Sequence, residues 1–258
     1  MHIPLFDGYI FDLDGTIYLG DELLPGAATT ITQLRASGRR VVFLSNNPTH
    51  TTTHYALRLS RLGIPTDAAD VINSSQVLVD WLQDALPGCR VYVVGEQPLI
   101  DELTAAGFMI ATDPAATDVV VASFDRTFTY AKLQFAFDAI RAGARFIATN
   151  ADRYCPVPGG GEPDAAAMIA AISACTGVAV EVVVGKPSPI MARAVARHID
   201  LPPARCIMVG DRLETDIAMG REAGMATALV LTGATTRAML ADAPINAEYV
   251  LERIEQLL

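Results

Sequence analysis

Short apolar runs recur along the whole chain, and helix-like segments separate them: YIFDL at 9–13, a helical stretch near 26–37, VVFLSN at 41–46 and a second helical stretch near 50–62. The same grammar continues with VYVVG at 91–95, DVVVASF at 118–124, RFIATN at 145–150, VVVGKP at 182–187, RCIMVGD at 205–211 and ATALVLTG at 226–233. Strands that alternate with helices build right-handed βαβ units around a parallel sheet, so the expected fold class is α/β. Several runs end in small or polar residues, and an open parallel sheet presents its ligand sites at the carboxyl ends of its strands. The chemistry is expected there.

The 258 residues, 51% of them apolar, can bury a sizeable core as one large domain or two modest ones. The formal charge of -10 argues against a nucleic-acid backbone or an anionic membrane as the main partner. No apolar stretch approaches the roughly 20 residues of a membrane span, and MHIPLFDG at the start lacks a basic region followed by an apolar one. Cys89, Cys155, Cys175 and Cys206 are widely spaced with no CxxC, which indicates neither a zinc cage nor a disulfide framework. A soluble, cytoplasmic protein is expected.

DLDGT puts Asp12 and Asp14 at the end of the first apolar run. Burying a carboxylate costs several kcal/mol unless it is paired, hydrogen-bonded or bound to a metal, so two of them together need a reason. Ser45 and Asn46 in FLSNNPT, Lys186 in VGKPSP, and Asp211 with Asp216 in VGDRLETDI stand at other strand ends. Taken singly each has a plain reading as a turn, a helix cap or a solvated loop. Taken together, acidic strand ends with one hydroxyl and one lysine make a Mg2+ site beside a phosphate site. A calcium loop fails on spacing, because Ile17 stands where its glycine belongs and Leu23 where its bidentate glutamate belongs.

These residues cluster at the two ends of the chain. Residues 77–182 are therefore expected to form an inserted second domain, with 1–76 and 183–258 as the core. His50 and His54 have the spacing of two metal ligands but no third nearby, so a rim position is expected. Gly159 to Gly161 lack the GxGxxG spacing and read as a pliable loop before a helix. Trp81 reads as helix packing.

The whole set resembles the haloacid dehalogenase (HAD) superfamily of phosphohydrolases, with DxDGT, Ser/Thr, Lys and GD(x4)D in order. FDLDGTIY, FLSNNPT, ATNAD, GKPSP and GDRLETDI are similar to the blocks of its NagD-like branch. The resemblance implies a HAD-like, Rossmann-like parallel-sheet core with a large α/β cap inserted between the second and third motifs. It also implies that Asp12 attacks phosphorus to form an aspartyl-phosphate. Asp14 would protonate the departing oxygen and then take a proton from water, while Gly15 lets the chain leave the strand sharply and Thr16 can hydrogen-bond the turn or orient a carboxylate. Mg2+ would be held by the Asp12 carboxylate, the Asp14 main-chain carbonyl and the Asp211 carboxylate, with Asp216 expected just outside them and direct ligation left open. Ser45, the Asn46 main-chain N–H and Lys186 would hold the phosphoryl oxygens. In the cap, Thr149, Asn150 and Asp152 sit at a strand end facing the core; Asn150 is the candidate substrate contact, and Arg153, Tyr154 and Glu162 are further ones.

The expected function is Mg2+-dependent hydrolysis of a small phosphorylated metabolite: a nucleotide, a sugar phosphate, or a small phosphorylated acid or polyol. A homodimer through the cap stays open. The rival readings are a receiver-type phosphoacceptor, whose sites fit within one small domain, a non-enzymatic sensor of a phosphorylated metabolite, and a mutase.

Overall fold

Each apolar run becomes a strand in the computed structural model, which describes residues 3–241 and 243–258. The first part of the chain supplies β1 (Gly8–Asp12), a short hairpin of β2 (Tyr18–Leu19) and β3 (Glu22–Leu23), α1 (Ala27–Ala36), β4 (Arg40–Ser45), α2 (Thr52–Arg61) and β5 (Val71–Asn73). The middle opens with α3 (Ser74–Ala85), β6 (Arg90–Val94), α4 (Gln97–Ala105), β7 (Met109–Ile110), β8 (Val119–Ala122), α5 (Tyr130–Arg141) and β9 (Arg145–Ala148). It closes with the hairpin of β10 (Tyr154–Val157) and β11 (Gly160–Pro163), then α6 (Ala165–Thr176) and β12 (Val182–Val183). The last part adds α7 (Pro189–Ile199), β13 (Cys206–Gly210), α8 (Ala218–Glu222), β14 (Ala226–Val230) and β15 (Tyr249–Leu251).

Two parallel sheets result. One has the order β15-β14-β13-β1-β4-β5 and the other β12-β9-β8-β6-β7. The first sheet places β1 between β13 and β4, with Asp12 opposite Leu44 and Phe11 opposite Val209. That register brings Asp12, Ser45 and Asp211 to one carboxyl edge.

Strand β1 is buried on both faces, and its side chains divide by parity. Tyr9 and Phe11 join Val41, Phe43, Ile207 and Val209 in one apolar cluster, while Ile10 joins Val42, Leu44 and Met208 in another. The second cluster runs on through Leu78 and Leu82 of α3 to Val91 and Val119 of the other sheet, so one continuous core backs both. Trp81 packs against it half-buried, with the Arg145 guanidinium 5.9 Å from its ring.

Gly159 to Gly161 depart from the pliable loop expected of them. Gly159, at φ 83°, makes the turn of the β10–β11 hairpin, and Gly160 and Gly161 pair with Val157 and Pro156. A strand of glycine and proline has little intrinsic strand signal, and cross-strand pairing supplies what propensity lacks.

Candidate active site

Buried β1 delivers Asp12 to the sheet edge, and the chain then turns at once. Gly15, at φ 88°, makes that turn, and a Cβ there would lie 2.6 Å from Asp211 Oδ2. The Lys186 ammonium donates to Asp12 Oδ1 and to Asp216 Oδ1, each at 2.6 Å. Thr16 Oγ1 approaches Asp12 Oδ2 only at 3.5 Å, which leaves Oδ2 the less engaged oxygen.

The second half of the site follows β13. Residues Leu213–Ile217 form one π-helical turn, and it folds Asp216 back under the sheet edge. Asp216 Oδ1 is taken by Lys186, and its Oδ2 accepts the Arg212 main-chain N–H at 3.1 Å. Asp211 Oδ2 accepts the Ala234 N–H at 2.5 Å, whereas its Oδ1 is buried without a hydrogen-bond partner among the described residues.

Oxygens of Asp12, Asp211 and Asp216 lie within 4.8 Å of one another. Burial pushes the Asp12 and Asp211 carboxyls upward: Asp12 by desolvation, with Lys186 pulling it down and Asp216 and Asp211 pushing it up, and Asp211 to about 7 by desolvation and then Asp216. Burial alone would lower the Lys186 pKa, but Asp12 and Asp216 outweigh it and hold the ammonium protonated. Crowded hard oxygens, a partnerless Asp211 Oδ1 and glycine at positions 15 and 233, where a Cβ would meet Asp211, fit a small divalent cation.

The adjoining pocket is lined by Asp12, Asp14, Ser45, Asn46, Lys186 and Arg212 from the first sheet's loops and by residues 152 and 154–156 from the other. Burial pushes the Asp14 carboxyl up to about 6, against the pull of Arg58, Lys186 and Arg212. Ser45, at the end of β4, accepts the Asn47 N–H at 3.1 Å.

The profile of the haloacid dehalogenase-like hydrolase family matches residues 9–109, and a related HAD-hydrolase-like profile matches 183–257. Over 250 residues, 97% of this chain and 91% of the relative, it is 41% identical to the sugar-phosphatase AraL of Bacillus subtilis. The chain belongs to the haloacid dehalogenase-like hydrolases. Among solved structures, this HAD-like hydrolase is similar to the 4-nitrophenylphosphatase of Thermotoga maritima, with a TM-score of 0.92, 34% identity, and 98% and 96% of the two chains covered. It is also similar to NagD from E. coli K-12, with a TM-score of 0.87, 30% identity, and 98% of each chain covered. It is a phosphatase of the NagD-like branch.

Most of the residues expected from the sequence of this HAD-like phosphatase come together, whereas Asn150 does not line the pocket. The Asn46 amide straddles the Lys186 peptide, accepting its N–H at 2.8 Å and donating to its carbonyl at 3.2 Å, and its Nδ2 also reaches Asp152 at 3.0 Å. Its side chain is thus spent on the protein. Asn150 lies fully buried behind the pocket wall, donating to Asp152 at 3.3 Å and Asp164 at 3.0 Å. Arg153 is exposed, and Glu162 belongs to a neighbouring cavity with Arg126 and Arg58. The His50 and His54 rings stack 4.0 Å apart, and no third ligand joins them in a metal-holding cluster among the described residues.

Sequence reasoning missed Arg212. Its only local signal is the position next to Asp211, yet it is 9% exposed and lines the pocket. Cys155 was also missed as a pocket residue; burial raises its thiol pKa, and Cys89, Cys155, Cys175 and Cys206 are all free. Among the described residues, no helix is long and apolar enough to cross a membrane.

Proposed function

We propose that this phosphatase hydrolyses small phosphate monoesters with Mg2+ as cofactor, through an aspartyl-phosphate on Asp12. Residues 77–182 act as the cap over a core of 1–76 and 183–258. The substrate class is a nucleotide, a sugar phosphate, or a small phosphorylated acid or polyol, and the free cysteines support a reducing, cytoplasmic setting. The observation that carries the reading is the convergence of Asp12, Asp211 and Asp216 around Lys186, beside a pocket that also holds Asp14.

The carboxylates of Asp12 and Asp211 and the Asp14 carbonyl would hold Mg2+. Asp216 stands outside them, because Lys186 and the Arg212 N–H already engage both its oxygens. When bound, the ion neutralises charge on the phosphoryl group and on Asp12.

Lys186, the Ser45 hydroxyl and the Asn46 N–H hold the phosphoryl oxygens. An Asp12 oxygen forms a bond to phosphorus as the ester P–O bond breaks, and Asp14 gives its proton to the departing oxygen. Asp14 then takes a proton from the water that attacks phosphorus, and the acyl phosphate breaks to phosphate and free Asp12. The upward shift of Asp14 suits it to carry that proton near neutral pH.

The decisive experiment is phosphate release from 4-nitrophenyl phosphate and a panel of natural esters, with and without Mg2+, for wild type and Asp12→Asn. Mg2+-dependent turnover that Asp12→Asn abolishes is the expected result. Folded, Mg2+-supplied wild type that releases no phosphate from any ester would overturn the reading in favour of a metabolite sensor.

A further inference from the structure

Arg212 directly follows Asp211, yet its side chain leaves the core and reaches the β10–β11 hairpin. A terminal nitrogen donates to the Tyr154 carbonyl at 2.7 Å, and the guanidinium carbon lies 4.8 Å from the centroid of the Tyr154 ring. The same ring packs on the facing strand at Gly161, where a Cβ would come within 2.6 Å of Tyr154 Cδ2. The tyrosine is therefore held both by the core and by its own hairpin.

Two other bonds from core loops end on the same stretch: Asn46 Nδ2 on Asp152, and Asn47 Nδ2 on Cys155 Sγ at 3.6 Å. Of the three donors only Arg212 is charged, and only its planar fork can serve a carbonyl and lie on a ring at once. Tyr154, Cys155 and Pro156 wall the pocket that contains Asp14. A second cavity shares Asp14, Asn47, Cys155 and Pro156 with it and continues to His50 and Arg58. Strand β10 is thus a common wall of the phosphoryl pocket and of the space beside the proton donor.

We propose that Arg212 is a specificity-determining positioning residue: it fixes the Tyr154–Pro156 wall and thereby sets which leaving groups fit beside Asp14. The inference rests on the phosphatase reading. With the arginine in place, a compact polar leaving group is held against the wall. Without it, the hairpin loosens, the compact group loses its contacts, and a flat aryl group gains room. Lysine at 212 keeps the charge but not the fork.

The test is kcat/KM on glycerol phosphate and on 4-nitrophenyl phosphate for wild type, Arg212→Ala and Arg212→Lys, with hydrogen–deuterium exchange of each full-length protein without substrate. In Arg212→Ala the glycerol-to-aryl ratio should fall at least tenfold, through KM more than kcat, and Arg212→Lys should not restore it. Amides of 154–163 should exchange faster while those of β1 and β13 keep their protection. Gly161→Ala, which crowds the Tyr154 ring from the other strand, should shift the ratio in the same direction. An unchanged ratio in a folded variant, equal loss on both esters, or wild-type exchange across the hairpin overturns the proposal. If wild type releases phosphate from neither of these nor from any other ester of the panel, the phosphatase reading fails by itself, and unchanged hairpin exchange would then dismiss the role of Arg212 separately.

Discussion

Gly210 and Asp216 occupy one space: a Cβ on Gly210 would lie 2.3 Å from the Cβ, Cγ and Oδ2 of Asp216. The glycine that closes β13 is what lets the following π-helical turn seat Asp216 against Lys186. Gly210→Ala is therefore expected to cost about 1–3 kcal/mol through overpacking. Displacing Asp216 should also lower kcat/KM by about 10²-fold, as a misplacement of around 1 Å does in a preorganised site. Urea unfolding and phosphate release on the same preparation check both, and full activity in the variant would refute the account.

Metal removal separates the roles of two carboxylates. EDTA should abolish turnover and Mg2+ restore it, and Mg2+ should raise the melting temperature of wild type by mass action. Asp216→Asn is expected to weaken the apparent Mg2+ affinity by about 10–100-fold, as loss of an outer partner does. Asp211→Asn should weaken it further and remove the Mg2+-dependent thermal shift. Equal effects of the two variants would make Asp216 a direct ligand.

Asp14→Asn discriminates between leaving groups. An alkoxide needs the proton that Asp14 supplies, whereas 4-nitrophenolate departs readily without one. The expected loss in kcat/KM, which reports the leaving-group step, is about 10²–10⁴-fold on an alkyl phosphate and far smaller on the aryl ester, while kcat, which also contains the hydrolysis step that Asp14 assists, falls on both. An equal loss of kcat/KM on the two esters would refute proton donation by Asp14 to the leaving group.

Asp164 predicts a pH dependence of stability. Burial, and next the Asp152 charge, push its carboxyl up to about 7, above the value near 4 of an unfolded chain. Between those values the folded state binds more protons, so the contribution of this group is full below about pH 4 and is lost as pH rises through about 7. Asp164→Asn keeps an acceptor for the Ala165 N–H and for Asn150 but cannot ionise. The melting temperature of wild type should therefore fall more between pH 5 and pH 7.5 than that of the variant, and parallel profiles would refute the shift.

The β1, β4 and β13 strands and the carboxylates at their ends were legible because both signals are local. An apolar run that stops at DLDGT or VGD states its strand, its end and its chemistry within a few residues. Asp12, Asp14, Lys186, Asp211 and Asp216, which the fold brings together, were picked out as candidates in this way. The β10–β11 hairpin was not, since glycine and proline carry little strand signal and the pairing of Pro156 with Gly161 exists only once the strands meet.

What the sequence by itself determined is the α/β fold class and the residue types of the site, because periodicity and strand-end chemistry are short-range properties of the chain. Only the tertiary structure decided that the Asn46 amide clamps the Lys186 peptide, 140 residues away, that Asn150 lies behind the pocket wall, and that Arg212 turns from the core to Tyr154. The physical reason is that a polar side chain is spent on whichever partner folding brings within about 3 Å, and neighbours in sequence say little about who that partner is.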